Sequence, residues 1–338
     1  MTQQIVDVHT HIYPRLYLDH LATRAELPRV DRRPDGEYFV IFPGEAGRRM
    51  DETYWSLEEK LAYMDRSGIS QSVVSLGNPW LDPFAPAEAR ELAEELNAEL
   101  ASFAGRTGGR VVGMGCLPQG SVADAVGAVG RIQETEGLYG IVSGTKLCGL
   151  AFDDPALEPL WSALAEGGTP LLVHPHHGIG LTEMDGFGHA LPLALGFPFE
   201  TTTALARLAM SGVLDRHRDL RVIGSHGGGT LPYLAGRLDG CWSPDDEARR
   251  RRDQAPSGAF RQLYLDALVY HPRALRAAAD LVGTEHLVFG TDHPFAIADP
   301  AVNIASIAET FTADESRLVL SANAQAMFGL PVLVEQPA

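Results

Sequence analysis

The sequence predicts an α/β fold, a (β/α)₈ barrel of the TIM type, and two observations carry this prediction. Eight short runs rich in Val, Ile and Leu recur along the 338 residues, and amphipathic helical patterns lie between them. Nearly continuous apolar strands are typical of a parallel sheet that is covered on both faces. Strands that alternate with helices in this way favour a barrel. A doubly wound open sheet is the alternative, but no GxGxxG motif follows the first run.

The predicted strands are short and are punctuated by Gly or Pro. They cover residues 5–11, 71–78, 110–117, 139–146, 170–176, 221–228, 263–269 and 287–294. The helices between them carry the usual start and stop signals. One helix has Leu57, Leu61 and Met64 on one face and ends at Gly68, and another begins at Ser121, a favourable N-cap residue.

Residues 13–56 are too long for one loop between a strand and a helix, and they are rich in Pro, Gly and charged residues. We interpret them as an insertion, or cap, over the mouth of the barrel, where the loops after the strands build active sites. Residues 240–258 form a second excursion. No repeat or low-complexity linker divides the chain, so we expect residues 1–338 to form a single domain.

Composition narrows the classes of function. A formal net charge of -17 argues against a nucleic-acid partner, which requires a positive surface, although local arginines still permit an anionic substrate. No apolar run is long enough to predict a membrane span, and no signal peptide is evident. The cysteines at positions 116, 148 and 241 are scattered, as in a reducing compartment. We therefore expect a cytoplasmic protein without a membrane partner.

Five polar residues lie at the carboxyl ends of predicted strands. They are His9 and His11 on the first strand, His174 on the fifth, His226 on the sixth and Asp292 on the eighth. Residues two apart in a strand share a face, so His9 and His11 can both point into the barrel mouth. An HxH pair alone also occurs in structural settings, but five such groups at strand ends favour a metal. Imidazoles and a carboxylate suit Zn²⁺, Mn²⁺ or Fe²⁺.

Longer stretches around these residues carry a family resemblance. HTH on the first strand, HGGGTLPYLAGR after the sixth and FGTDHPF after the eighth resemble the aminocarboxymuconate semialdehyde decarboxylase branch of the amidohydrolase superfamily. More narrowly, SVVSLGNPW, HPHHG and GHALPLALGFPFETT are similar to the isoorotate (uracil-5-carboxylate) decarboxylases. The resemblance extends over nearly the whole chain, and residues 13–56 are its loosest part.

The resemblance implies one divalent metal, with Zn²⁺ preferred over Mn²⁺. The implied ligands are His9, His11, His174 and Asp292. His226 would lie just outside the coordination sphere as an acid–base group. Two-metal members of the superfamily use a carbamylated lysine on the fourth strand. Lys146 follows that strand here, but close relatives lack the lysine, so we expect Lys146 to be solvated or to face the substrate rather than to bridge two metals.

The absence of an organic-cofactor signature constrains the chemistry. Loss of CO₂ leaves an electron pair that the substrate itself must accept, by protonation of its own carbon before the C–C bond breaks. We expect the substrate to be a small cyclic acid, aromatic or pyrimidine, with a hydroxyl or carbonyl next to the carboxylate. Asp292, assisted by His226, would deliver the proton. The alternatives are a hydrolase or hydratase of the same superfamily, and a barrel that keeps the metal only for structure.

Further residues are candidates for contacts with the substrate. They are Arg48, Asn78, Trp80, His176, Arg237 and Phe295. Arg48 would bind the carboxylate, or is a solvated arginine of the insertion. Trp80 and Phe295 would pack on the ring, or serve only as walls. The resemblance implies that Arg237 crosses a dimer interface into the neighbouring site, so we expect a homodimer whose small-molecule partner is the carboxylic acid.

Overall fold

The computed structural model describes residues 4–34, 37–42, 47–331 and 333. Eight parallel strands succeed one another in chain order around a barrel. Strands β1 to β8 are Val6–Ile12, Gln71–Leu76, Val111–Cys116, Leu138–Ser143, Leu171–Val173, Val222–Gly224, Tyr264–Asp266 and Leu287–Val288. Backbone hydrogen bonds of 3.0 Å from Val8 to Phe289 and from Thr291 to His9 join β1 to the chain after β8. The predicted (β/α)₈ barrel is confirmed.

The apolar strand runs are explained by burial on both faces. Every residue of β1, β2 and β3 is buried, including the positions that point away from the barrel axis. The outward-facing side chains pack under the surrounding helices and the inward-facing ones fill the barrel, as expected for a parallel barrel sheet. The polar residues at the strand ends are therefore held in a rigid frame.

Several regular strands end earlier than the sequence predicts. β8 stops at Val288, and the chain then turns so that Asp292 adopts a φ of 60°. β6 stops at Gly224, and His226 adopts a φ of 53° in the turn that follows. His174 is the first residue after β5. Loop backbone, rather than the alternation of a strand, therefore aims these three side chains.

The longer helices surround the barrel. They are Arg15–Ala22, Leu57–Ser67, Pro86–Arg106, Val122–Glu134, Glu158–Glu166, Phe197–Met210, Leu231–Trp242, Pro272–Val282 and Pro300–Thr310. Shorter helices span Val213–Arg216, Ser225–Gly228, Asp246–Arg251, Ser257–Phe260, Ala313–Arg317 and Asn323–Phe328. None of the helices in the described part of the chain has the length and apolarity that a membrane crossing requires.

The helix Leu57–Ser67 begins and ends where the sequence predicts, and its buried face includes a lysine that the sequence analysis did not expect there. The side chain of Ser56 accepts a hydrogen bond from the Glu59 amide, and Gly68 ends the helix in the left-handed conformation. Leu57 and Met64 are buried, and Leu61, which the sequence places on the same face, is half-buried and packs against the core. The buried side chains are those of Leu57, Lys60, Tyr63 and Met64. A lysine thus lies where an apolar residue is expected.

The described part of the predicted insertion, residues 13–34, 37–42 and 47–56, contains a helix and a small sheet. After the helix Arg15–Ala22, a small antiparallel sheet is built from Arg29–Arg32, Tyr38–Ile41 and Arg48–Met50. Two buried hydroxyls fix this insertion to the loop after β2, from Tyr13 to the Asn78 carbonyl at 3.1 Å and from Tyr17 to the Trp80 carbonyl at 2.6 Å. Residues 35–36 and 43–46 of the insertion lie outside the described residues. That residues 1–338 form one domain stays a prediction.

Candidate active site

His9 and His11 are fully buried at the carboxyl end of β1, and each has one ring nitrogen fixed by a neighbour. His9 Nδ1 lies 2.6 Å from the carboxylate of Asp266 at the end of β7. His11 Nδ1 lies 2.9 Å from the hydroxyl of Ser75 on β2. Such partners set the tautomer and the orientation of an imidazole ligand. Both Nε2 atoms therefore face the interior of the site.

The third histidine and the aspartate complete this arrangement. His174 Nδ1 lies 2.8 Å from the carbonyl oxygen of Pro175, which again leaves Nε2 directed inward. Asp292 Oδ1 lies 3.4 Å from His9 Nε2, 3.2 Å from His11 Nε2 and 3.9 Å from His174 Nε2. Three imidazoles thus converge on one carboxylate oxygen. The Nε2 atoms of His9 and His174 are buried without a hydrogen-bond partner, an arrangement that a metal ion would satisfy.

His226 approaches the same carboxylate from its other oxygen. Its Nε2 lies 3.5 Å from Asp292 Oδ2, and its Nδ1 is buried with no partner. The backbone amides of His226 and Gly227 donate to Asp266 at 2.8 Å each. Asp266 therefore positions both His9 and His226. Asp266 is not among the residues predicted from the sequence, because it lies in the middle of the strand predicted over residues 263–269, whereas the observed strand ends at Asp266.

Two sets of four ligands are geometrically possible. The ligand atoms of one set all lie within 4.8 Å of one another: His9, His174, His226 and Asp292. The other set, predicted from the sequence, replaces His226 with His11. The two sets differ in how one histidine is oriented. The Nδ1 of His11 lies within hydrogen-bond distance of the Ser75 hydroxyl, whereas the Nδ1 of His226 has no hydrogen-bond partner. Either set offers three imidazoles and one carboxylate, donors that suit Zn²⁺ or Mn²⁺.

The charges of the site also suit a cation. Burial lowers the pKa of His11 to about 3 and that of His174 to about 4, so both imidazoles are neutral. Burial opposes protonation of His9 as well, but hydrogen bonds to Asp266 and Asp292 outweigh it and raise the pKa of His9 to about 10. Four histidine contacts outweigh burial at Asp292 and hold its pKa well below its usual range. A divalent cation would displace the proton from His9, because metal ligands bind deprotonated.

A buried polar network supports the ligands from below. Lys60, one of two lysines in the sequence, has its Nζ 2.9 Å from Thr10 Oγ1 and 2.6 Å from His293 Nδ1. Tyr63 stacks on His293 with ring centroids 3.7 Å apart. Asp7 accepts a hydrogen bond of 2.7 Å from the hydroxyl of Thr291. The network lies between β1 and the loop after β8, which carry His9, His11 and Asp292. The other lysine, Lys146, is exposed.

A cavity of about 540 Å³ opens above the histidines. Its polar lining comprises Arg48, Arg49, Asn78, His174, His176, His177, His189, His226 and Asp292, and its larger apolar side chains are Phe42, Tyr54, Leu181, Leu193, Phe197, Phe295 and Ile297. Trp80 is buried behind this lining, with its ring 5.0 Å from that of His176 and 5.8 Å from that of His174. Cavities of this size and lining are typical of small-molecule sites.

Arg48 and Phe295 lie against each other in the wall of the cavity. The guanidinium carbon of Arg48 is 4.9 Å from the centre of the Phe295 ring, and that ring is 5.4 Å from the ring of His11. The Nε of Arg48 is buried with no hydrogen-bond partner. The neighbouring Arg49 differs, because it is paired with Glu37 at 2.5 Å. Arg48 therefore offers an unsatisfied donor to a ligand in this cavity.

Arg237 lies outside the cavity of its own chain. It is exposed on the helix Leu231–Trp242, four residues after Tyr233, which is 88% exposed. Among the described residues it has no ion-pair partner within 4.0 Å. The contribution of Arg237 to a neighbouring site, and the homodimer that this requires, stay predictions.

Comparison with known proteins places this site in a family. A family model described as amidohydrolase matches residues 6–330. The 2-amino-3-carboxymuconate-6-semialdehyde decarboxylase of Dictyostelium discoideum is 27% identical over 331 residues, which cover 96% of this chain and 91% of that protein. The crystal structure of IDCase from Metarhizium anisopliae, in apo form, has a TM-score of 0.90 and 33% identity, and the match covers 97% of each chain.

A more distant structure shares the fold. The dihydroxybenzoic acid decarboxylase from Polaromonas sp. JS666, with bound manganese and the inhibitor 2-nitroresorcinol, has a TM-score of 0.78 and 20% identity, and the match covers 97% of each chain. The resemblance predicted from the HTH, HGGG and FGTDHPF motifs is confirmed. The chain belongs to the amidohydrolase family.

Proposed function

We propose that this protein is a carboxy-lyase, a metal-dependent decarboxylase that removes CO₂ from a small cyclic acid without oxidation. The acid carries a hydroxyl or carbonyl next to its carboxylate. One observation carries the proposal: three buried imidazoles meet one oxygen of Asp292 while His226 faces the other oxygen. The arrangement offers a metal site and a proton path on the two sides of a single carboxylate. Relatives named as decarboxylases support the reaction class.

The metal would be a single divalent ion, Zn²⁺ in the first place and Mn²⁺ in the second. Its ligands would be His9, His11, His174 and Asp292. The tethered Nδ1 atoms of the three histidines support this set, because each leaves Nε2 free toward Oδ1 of Asp292. The ion would supply Lewis-acid polarisation of the substrate oxygens. The bound manganese of the dihydroxybenzoic acid decarboxylase supports a divalent ion in this fold.

The side chains of the cavity would hold the substrate in place. Arg48 would pair with its carboxylate through the guanidinium, whose Nε is buried without a hydrogen-bond partner. Asn78 and His176 line the same wall and would offer hydrogen bonds, and Phe295 would pack against the ring. Trp80, behind His174 and His176, would keep those rings in position. These contacts would fix the reacting carbon near Asp292.

Asp292 and His226 would transfer the proton. Because Asp292 is a carboxylate at neutral pH, its Oδ2 would receive a proton from His226 and pass it to the ring carbon that bears the carboxylate. The C–C bond then breaks, CO₂ leaves, and the bonding pair returns to the ring and restores its conjugation. The balance is one proton taken up for each CO₂ released. A positioned acid of this kind contributes roughly 10²–10⁴-fold in rate.

The assembly and location complete the proposal. Arg237 would reach the site of a second copy, so the active unit would be a homodimer. Its exposure on the surface of the single chain supports this role. A cytoplasmic location is supported by the three cysteines, none of which is in a disulfide.

The test is product analysis by mass spectrometry. The purified, metal-analysed protein is incubated with ortho-hydroxy aromatic acids and pyrimidine carboxylic acids, uracil-5-carboxylate included. We expect a loss of CO₂ from at least one acid, abolished by a chelator and restored by added Zn²⁺ or Mn²⁺. Addition of water to ester or amide controls without any loss of CO₂ would instead identify a hydrolase.

A further inference from the structure

The cavity is larger than a single-ring acid requires. Its volume is about 540 Å³, whereas a cavity of about 150 Å³ holds benzene. A ring placed beside the histidines and Arg48 would therefore leave most of the space unfilled. What lines the remaining space indicates which chemical group fills it.

The outer part of the cavity, which we call the mouth subsite, is lined by Leu181, Leu193, Phe197 and Ile297. Leu181, Leu193 and Ile297 are 42%, 38% and 41% exposed, and Phe197 is half-buried. At the bottom of the cavity, His174 is 3% and Asp292 is 7% exposed. The cavity thus passes from buried polar groups to exposed apolar ones. Large aliphatic side chains clustered at one exposed place favour a bound apolar partner.

The mouth subsite is built from ordered loop structure. An added Cβ at Gly178 would meet Leu181 at 2.9 Å and Phe197 at 3.3 Å, so these side chains pack side by side over the bare glycine. The amide of Ile179 donates to the Gly196 carbonyl at 3.0 Å and closes this loop. On the opposite side, the hydroxyl of Tyr270 donates to the Ile297 carbonyl at 3.1 Å.

The polar groups near the mouth subsite do not call for a charged ligand there. Arg49 is already paired with Glu37. Burial lowers the pKa of His177, so that its ring is neutral. His189 also lines the cavity and can offer one hydrogen bond.

We propose that the substrate carries an apolar substituent, an alkyl chain or a second ring, on the side of the ring remote from its carboxylate. The substituent would lie in the mouth subsite. This inference rests on the proposed decarboxylase function and specifies its substrate class. The alternative occupant, a second copy of the chain that fills the subsite, is disfavoured because Leu181, Leu193, Phe197 and Ile297 line the same cavity as His174, His226 and Asp292.

The test is a homologous series. The ratio kcat/KM is measured for 2-hydroxybenzoic acids with hydrogen, methyl, ethyl, propyl or butyl at position 4, and for a second series at position 5. Each buried methylene is expected to raise kcat/KM about fourfold in one of the two series. Flat or falling values in both series, with the unsubstituted acid turned over, would overturn the inference.

Substitutions in the mouth subsite test whether it causes the dependence of kcat/KM on chain length. Ile297→Ser and Leu193→Ser are expected to flatten the dependence on chain length. Val302→Ser is the matched control, because Val302 is a similarly exposed aliphatic residue, 40% exposed, that does not line the cavity. It should leave the dependence unchanged. An equal loss in all three variants would contradict the assignment of the substituent to this subsite.

Two further measurements separate the possible failures. Dissociation constants for 2-nitrophenols with the same alkyl chains, which cannot lose CO₂, should show the same dependence on chain length. If they do and no acid is decarboxylated, the subsite stands and the proposed function fails. Sedimentation velocity of Leu193→Asp detects the other occupant, since dissociation of a dimer would assign the mouth to an interface between copies and overturn the inference.

Discussion

The floor and the mouth of the catalytic cavity are built differently. The floor, His9, His11, His174, His226 and Asp292, lies at or just after the ends of barrel strands and is nearly all buried. The mouth comes from the insertion, from two loops and from the first residue of the helix Phe197–Met210, and most of it is partly exposed. Its residues are Arg48, Leu181, Leu193, Phe197 and Ile297. From this difference we infer that the barrel strands hold the reacting groups rigidly, whereas the loops determine which substrate binds.

Backbone hydrogen bonds explain the rigidity of the floor. The carbonyl oxygen of His9 accepts from the amides of Thr291 at 3.0 Å and Asp292 at 2.8 Å. The amide of His11 donates to the His293 carbonyl at 2.6 Å. The ligands of β1 and the aspartate after β8 are thus fixed to each other through the main chain. At the mouth, the backbone hydrogen bond from Ile179 to Gly196 does not involve the ligands, so mouth side chains can change without disturbing them.

The largest effect is expected at Asp292, because one of its oxygens faces His11 and the other faces His226. Asp292→Asn should keep the fold and lower kcat by about 10²–10⁴-fold, because the amide replaces the carboxylate that passes the proton. The measurement is kcat per bound metal ion, with a thermal melt to establish folding. His226→Gln should lower kcat with the metal retained. A fully active Asp292→Asn would exclude the proposed proton transfer.

The next largest effect is on metal affinity, and it distinguishes the two possible sets of metal ligands. His11→Ala is expected to weaken metal binding by 10-fold or more, and His226→Ala to leave it nearly unchanged. The reason is that His11 is oriented by Ser75 toward Oδ1 of Asp292, whereas His226 faces Oδ2. Metal dissociation constants from competition with a chelating dye provide the measurement. The reverse order of the two variants would assign His226 as the ligand in place of His11.

A smaller effect is expected at the mouth. Arg48→Met should raise KM for the acid by about 10- to 100-fold, the value of a hydrogen bond to a charged group, with a lesser change in kcat. Arg49→Met is the matched control, because Arg49 is paired with Glu37 and should leave KM within about twofold. Equal effects of both variants on KM would show that the general positive charge of the mouth, rather than Arg48, captures the carboxylate.

The same contrast explains what the sequence predicts. The floor histidines and Asp292 follow apolar runs, and parallel strands of a barrel must bring their carboxyl ends together. Asp266 follows the same rule in the structure, but the strand predicted over residues 263–269 places it in the middle and not at the end. The burial of Lys60 was not predicted, because lysine is rarely buried, although position 60 shares a helical face with Leu57 and Met64.

The mouth escapes sequence reasoning for a different reason. No periodicity governs a loop, so the placement of Leu181 beside Phe197 depends on the left-handed backbone at Gly178 and on contacts formed only in the folded chain. The early end of β8 is of the same kind. The sequence predicts a strand over residues 287–294, but the positive φ of Asp292 turns the chain and aims the carboxylate inward.

The smallest effect concerns Lys60, which lies in the buried polar network next to the metal ligands, and the pH dependence of the free energy of unfolding. Burial lowers the pKa of Lys60 from its ordinary 10.5 to about 7. Between these values the unfolded chain binds more protons than the folded chain, so this group makes the free energy of unfolding rise with pH, by about 1 kcal/mol per pH unit. Lys60→Met should remove that rise. Urea denaturation at pH 7, 8 and 9 measures it, and Lys146→Met, at the exposed lysine, should retain the wild-type slope. Equal slopes for wild type and Lys60→Met would mean that the buried amine stays charged, and that the floor rests on a positive charge rather than on a neutral hydrogen-bond donor.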